Sequence, residues 1–234
     1  MKHRLKIMMA TVLLAASLLS SCSSKHAGMR ADEAYLSSSD ALESAIEYEI
    51  ITERRVSSTD GLETVSQDRA TYRRKNGRFY MQNADTSNPL LNMEGWYIDG
   101  FSYASYRSMK IKTPVTLSEY VASNGSAAAY LPRIDDSLLK KLKFEGDGEK
   151  FITLTLSAAQ YTELFGESGI GGEIDGEITY KVTFDADGRV TSTHTSFYMK
   201  VKETRLYSET KTTFSFSSPD IDLPDNAEEF TLIG

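Results

Sequence analysis

One cysteine, five prolines and three histidines are all that the 234 residues hold of those types. The lone Cys22 has no partner in the chain, so no internal disulfide can substitute for a hydrophobic core. His3, His26 and His194 are too few and too scattered to supply spaced metal ligands, a Ser–His–Asp set or a Cys–His pair. Neither an enzyme nor a cofactor or metal protein is expected. Basic charge is also short, with 26 Lys+Arg against 33 Asp+Glu and a formal charge of −7, which argues against a nucleic-acid-binding face. Long apolar runs are missing apart from Ile7 to Leu19, which is too short to cross a bilayer as a helix. What is present is an ordinary globular balance, 40% hydrophobic and 25% charged, with 13 Tyr, 10 Phe and one Trp.

The first residues read as an address. Lys2, Arg4 and Lys6 precede the apolar run, and Leu19-Ser20-Ser21-Cys22 closes it with small residues, as at a secretory cleavage site. The tetrapeptide resembles the bacterial lipobox, whose cysteine is alkylated with diacylglycerol and becomes the mature N-terminus. The expectation is a signal peptide over 1–21, a lipidated Cys22 with a flexible tether over 22–30, and one domain over 31–234. Loss of 1–21 leaves 23 basic against 33 acidic residues, or −10. Anionic headgroups repel such a body, so acyl chains must hold it to the membrane. Its expected place is the cell membrane, lipid-anchored, on the extracytoplasmic side.

From Ala31 the pattern is a helix to Ser44, interrupted or not at Ser37-Ser38-Ser39, followed mainly by strands. Ile46, Tyr48 and Ile50 alternate with glutamates. Asn76-Gly77 and Asp99-Gly100 are two-residue hairpin turns. The first sorts Tyr72, Phe79 and Met81 from Arg73, Lys75 and Arg78; the second sorts Trp96, Ile98, Phe101 and Tyr103 from Tyr97, Ser102, Ala104 and Tyr106. A third hairpin turns at Asp185 to Gly188, with a phase change along 190–201 that a bulge near Thr195 would explain. Thr116 to Glu119 and Ser157 to Gln160 are capping boxes opening short helices, with Gly166 or Gly169 ending the second. Ile134, Leu138, Leu139 and Leu142 mark another short helix. Together these give an α+β fold, strongly antiparallel.

Several motifs dissolve on inspection. Asp185-Ala186-Asp187-Gly188 has the wrong spacing for a calcium loop, and Gly169 to Gly172 follows a helix instead of opening one. Asp220, Asp222, Asp225, Glu228 and Glu229 read as a solvated acidic end. Arg69, Arg73, Lys75 and Arg78 read as the outer face of a strand. Arg74 is different, because parity puts it on the apolar face, where it can snorkel to a rim and meet a phosphate or carboxylate.

The order of elements resembles the LolA/LppX-like lipoprotein superfamily, and more closely uncharacterised Gram-positive lipoproteins of that fold. The stretches that carry the resemblance are Ala41 to Ile50, Tyr72 to Met81, Phe151 to Leu164 and Tyr180 to Val190. The arginine with which LolA-type carriers latch their lid has no counterpart among them. The resemblance implies a curved antiparallel sheet, an incomplete β-barrel, with a few short helices on its concave side and room for acyl chains. Two readings follow. In one, Tyr72, Arg74, Phe79, Met81, Trp96, Ile98, Phe101 and Tyr103 line a hollow for a lipid or other hydrophobic ligand. In the other, the core is filled and the protein is a non-enzymatic interaction or envelope-scaffold lipoprotein. Either is expected to act as a monomer. Ser23 is compatible with outer-membrane sorting, whereas the Gram-positive resemblance favours a single membrane.

Overall fold

The computed structural model describes residues 25–61, 63–124, 127–166 and 172–233, so the signal peptide, Cys22 and residues 169–171 lie outside them. A two-residue turn at Ala27-Gly28, both with positive φ, joins β1 (Lys25–His26) to β2 (Met29–Arg30). This hairpin corrects the expected tether over its last six residues. The His26 ring contacts the Asp185 carbonyl through Nε2 and stands edge-on to Phe144 at 5.4 Å, and Met29 packs on the core.

Helix α1 (Ala31–Ser44) runs unbroken through its three serines. Two of them turn inward: Ser38 Oγ accepts from the Val190 amide at 3.1 Å, and Ser39 Oγ donates to the Leu131 carbonyl at 3.0 Å. A hydroxyl that finds a tertiary partner does not compete with the helix backbone.

Six strands follow: β3 (Tyr48–Ser58), β4 (Thr64–Lys75), β5 (Arg78–Asp85), β6 (Met93–Ile98), β7 (Phe101–Tyr106) and β8 (Met109–Pro114). Three short helices come next, α2 (Leu117–Asn124), α3 (Asp136–Leu139) and, after β9 (Lys150–Leu156), α4 (Ala158–Phe165). Both capping boxes form, and Gly166, at φ 77°, ends α4. The long strands β10 (Glu173–Phe184), β11 (Val190–Val201) and β12 (Thr204–Ser215) precede a short β13 (Thr231–Leu232).

Eleven strands form one curved, unclosed sheet in the order β13-β8-β7-β6-β5-β4-β3-β12-β11-β10-β9. All neighbours are antiparallel except β13 and β8, which run parallel, so the sheet is mixed at one edge. The phase change in β11 is real but sits at Thr191, beside the turn and not near Thr195, because Thr183 pairs with Ser192 while Phe184 pairs with Val190. That single extra residue lets Val190 face the core together with Phe197 and Met199.

The main core lies between the helices and the β9–β12 and β3 part of the sheet. Tyr35, Leu42, Leu131, Ile152, Tyr180 and Val182 are all buried there. A second cluster lies on the other face, where residues 216–232 cross β5–β8 and bring Ile221 and Phe230 onto Ile98 and Tyr103.

Candidate functional site

Strand register decides which side chains share a surface. Across the helix-bearing, concave face one row runs Phe214, Ile50, Tyr72, Met81, Gly95, Ala104 and Ile111. The adjacent row runs Tyr48, Arg74, Phe79, Tyr97, Ser102 and Thr113. Of the eight residues expected to line a hollow, Tyr72, Arg74, Phe79 and Met81 are on this face.

The other four are not. Phe79 pairs with Tyr97 and Tyr80 with Trp96, so Trp96, Ile98, Phe101 and Tyr103 point to the convex face, under the C-terminal segment. There Phe230 meets Trp96 at 6.3 Å and Tyr103 at 5.4 Å, and Lys112 Nζ lies 4.1 Å from the centre of the Phe101 ring. The expected set of eight is thus two separate patches. Each hairpin sorts its own residues as expected; the phase between the hairpins is set by the stretch 86–92, whose Asn88-Pro89 and short helical turn at Pro89–Leu91 mark a connection but not its register.

The space beneath the helices is occupied over the β9–β12 half. Tyr35, Leu131 and Tyr180 are no more than 1% exposed, and Phe165 and Tyr180 meet edge-on at 5.3 Å. The Tyr35 hydroxyl donates to the Pro132 carbonyl at 2.7 Å, and the Tyr180 hydroxyl is buried beside it. A groove of about 470 Å³ separates Pro132 to Leu138 from Gln160 to Leu164, and its apolar wall belongs to the same filled layer.

Over the β4–β8 half the concave face is more open. Helix α2 covers Phe79 and Tyr97 with Tyr120, whose ring lies 5.5 and 5.1 Å from theirs. Beyond it, Met81, Met93, Tyr106 and Ile111 are partly exposed and Ala104 is exposed. Gly95 lies under Met81, whose Cγ would be 3.2 Å from a Cβ built there. The result is a shallow apolar trough floored by small and flexible side chains.

Arg74 stands where this trough meets the filled half. Its guanidinium lies 5.3 Å from the Phe79 ring centre, and Nη1 donates to the Ala45 carbonyl at 2.9 Å, at the end of α1. Nε is buried and makes no hydrogen bond, and among the described residues no carboxylate pairs with this arginine. Its neighbours in sequence differ: Arg73 pairs with Glu49 at 2.6 Å, and Lys75 with Asp220 at 3.0 Å, both on the convex face. Phenols surround Arg74 on the concave side. Tyr48 pairs across from it, and the rings of Tyr72 and Tyr130 lie 5.2 Å apart. Burial, and then the neighbouring phenol of Tyr48, pushes Tyr120 up to about 12. Burial also raises Tyr48, against the lowering influence of Arg74, and raises Tyr130, where Tyr72 adds to the effect. All of them keep their protons at neutral pH. Tyr48 was legible from strand alternation and Tyr120 from its helical place behind the Thr116 to Glu119 capping box; Tyr130 arrives from a separate segment, and no local pattern marks it.

No protein-family model matches this chain, and no curated protein does. Several solved structures are similar to it. One is the lipoprotein LppX of Mycobacterium tuberculosis, at 12% identity and a TM-score of 0.40, over 82% of this chain and 97% of that one. A LolA superfamily protein of Nitrosomonas europaea is 13% identical with a TM-score of 0.28, over 87% and 98%. A domain of an outer membrane lipoprotein-sorting protein of Vibrio parahaemolyticus is 10% identical with a TM-score of 0.29, over 83% and 95%.

Proposed function

We propose that the protein is a lipoprotein acylated on Cys22 and anchored on the extracytoplasmic side of the cell membrane, which binds an amphiphile carrying an anionic head. The head sits at Arg74 among the phenols, and the apolar tail lies along Met81, Gly95 and Ala104. The observation that carries this reading is the half-buried Arg74 guanidinium, which has no carboxylate partner among the described residues and faces an apolar surface. A cation in such a place lacks the charge-assisted partner that its environment makes valuable. A phosphate or carboxylate supplies it. Apolar surface along the trough adds about 25 cal/mol for each Å² removed from water.

The occupied space under α1 favours a second reading, in which the protein is a scaffold that binds no small amphiphile. Equilibrium binding of a fluorescent anionic fatty acid separates the two. Arg74→Met keeps the side chain's length and removes its charge. Since hydrogen bonds to charged groups are worth about 1.5–3 kcal/mol, it should weaken binding about tenfold or more, with the thermal midpoint held. Absence of binding by the unaltered protein would leave the scaffold.

A further inference from the structure

The chain leaves the described fold at one end of the sheet, and that end can be identified strand by strand. The turns at 76–77, 99–100 and 185–189, the start of β3 and the end of β8 all lie at the end where β1 and β2 dock. The end of β3, the start of β4 and the turns at 86–92, 107–108 and 202–203 lie at the other. Strands of 12 residues such as β10 to β12 set the two ends apart by roughly 35–40 Å. Only two residues, Ser23 and Ser24, separate Cys22 from Lys25, so three Cα–Cα steps span the gap. Fully extended, they reach about 10 Å.

We infer that the end carrying the 185–189 turn is a membrane-docking surface, whose partner is the bilayer that holds the acyl chains of Cys22. This rests on the proposed acylation and adds an orientation to it. The hairpin is no free leash, because His26 is held at the Asp185 carbonyl and against Phe144, and Met29 is wedged at Gly188, where a Cβ would come within 2.5 Å of its Cε. An acylated Cys22 therefore keeps this end close to the headgroups and holds the other end well away. Two apolar side chains are exposed at the same end, Ile46 at 76% between α1 and β3, and Leu117 at 38% where α2 begins. They flank Arg74, which binds the carbonyl of Ala45 next to Ile46, and Tyr120 of α2. The opening of the anion site thus faces the lipid surface, so an amphiphile can pass between the two without crossing bulk water.

The thiol of Cys22 is consumed by acylation, so an introduced cysteine is a unique labelling position. The full chain, expressed with its leader, is reconstituted in vesicles of phosphatidylcholine and phosphatidylglycerol containing a headgroup-spin-labelled lipid, and bimane is attached at Ile46→Cys, Asp187→Cys or Glu203→Cys. The expected result is loss of fluorescence at 46 and 187 and none at 203. Equal quenching at all three, or quenching at 203 alone, overturns the orientation. Ten Gly/Ser residues inserted after Ser24 should abolish the difference; its persistence would also overturn the argument from reach. Failure of the unaltered chain to float with vesicles overturns the acylation reading, and the orientation with it, and is seen before any quenching is measured.

Discussion

At the residue scale, the proposed site is built from phenols and one cation. Tyr80 shows how burial shapes a phenol. Its hydroxyl donates to Glu94 at 3.0 Å, and burial, followed by the Glu94 carboxylate, pushes it up to about 12 against the opposing pull of Arg73. The folded protein holds these phenolic protons more tightly than the unfolded chain does, whose tyrosines titrate near 10.0. The stability they lend is complete below that value and is lost as pH rises through 10 towards 12. Alkaline titration followed at 295 nm should show exposed tyrosines ionising first in the native state. Tyr80 and Tyr120 should ionise later, together with loss of the near-ultraviolet circular dichroism. Arg74 was legible at this scale, because alternation around Asn76-Gly77 allows only one face for it. Its freedom from a carboxylate was not legible, since acids on β3 and in the C-terminal segment reach Arg73 and Lys75 across the fold.

At the scale of elements, local chemistry is a good guide wherever one turn joins two strands. Asn76-Gly77 and Asp99-Gly100 take positive φ at both residues, which matches the twist of the strands they connect, and their cross-strand pairs follow. Between hairpins that guide fails: a one-residue change of phase in 86–92 would send Trp96 to the other face, and only pairing with β5 settles it. The C-terminal segment was the least legible element. Its acids are solvated as expected, Asp220 and Glu229 staying exposed while they pair with Lys75 and Lys110, but Phe230 closes the convex cluster, which nothing local marks. Phe230→Ala should destabilise the protein by about 3 kcal/mol, the range for truncating a buried aromatic ring. It should also shift the emission of the single Trp96 to the red as water reaches its ring. An unchanged Trp96 spectrum would mean that the segment does not cover this face in solution.

At the scale of the whole molecule, charge opposes the proposed anchor. A body of −10, the charge left once residues 1–21 are removed, has no electrostatic reason to approach an anionic bilayer. Under the proposed acylation, membrane attachment depends on the acyl chains of Cys22, and Cys22→Ser should move the protein from the detergent phase to the aqueous phase in a phase-separation assay. Among the described residues no helix is long and apolar enough to cross a membrane. The amino-acid sequence by itself determined the strands, the two-residue turns, the capping boxes and the sorting of each hairpin into an apolar and a charged face. Those features depend on neighbours a few residues apart, whose preferences are written in side-chain size, branching and backbone freedom. Only the tertiary structure decided that the eight aromatic and apolar candidates form two patches, that rings fill the space beneath α1, and that Lys25 to Arg30 is docked. Each of these is a contact between segments far apart in the chain, for which local propensity carries no information, and burial over the whole fold selects the pairing.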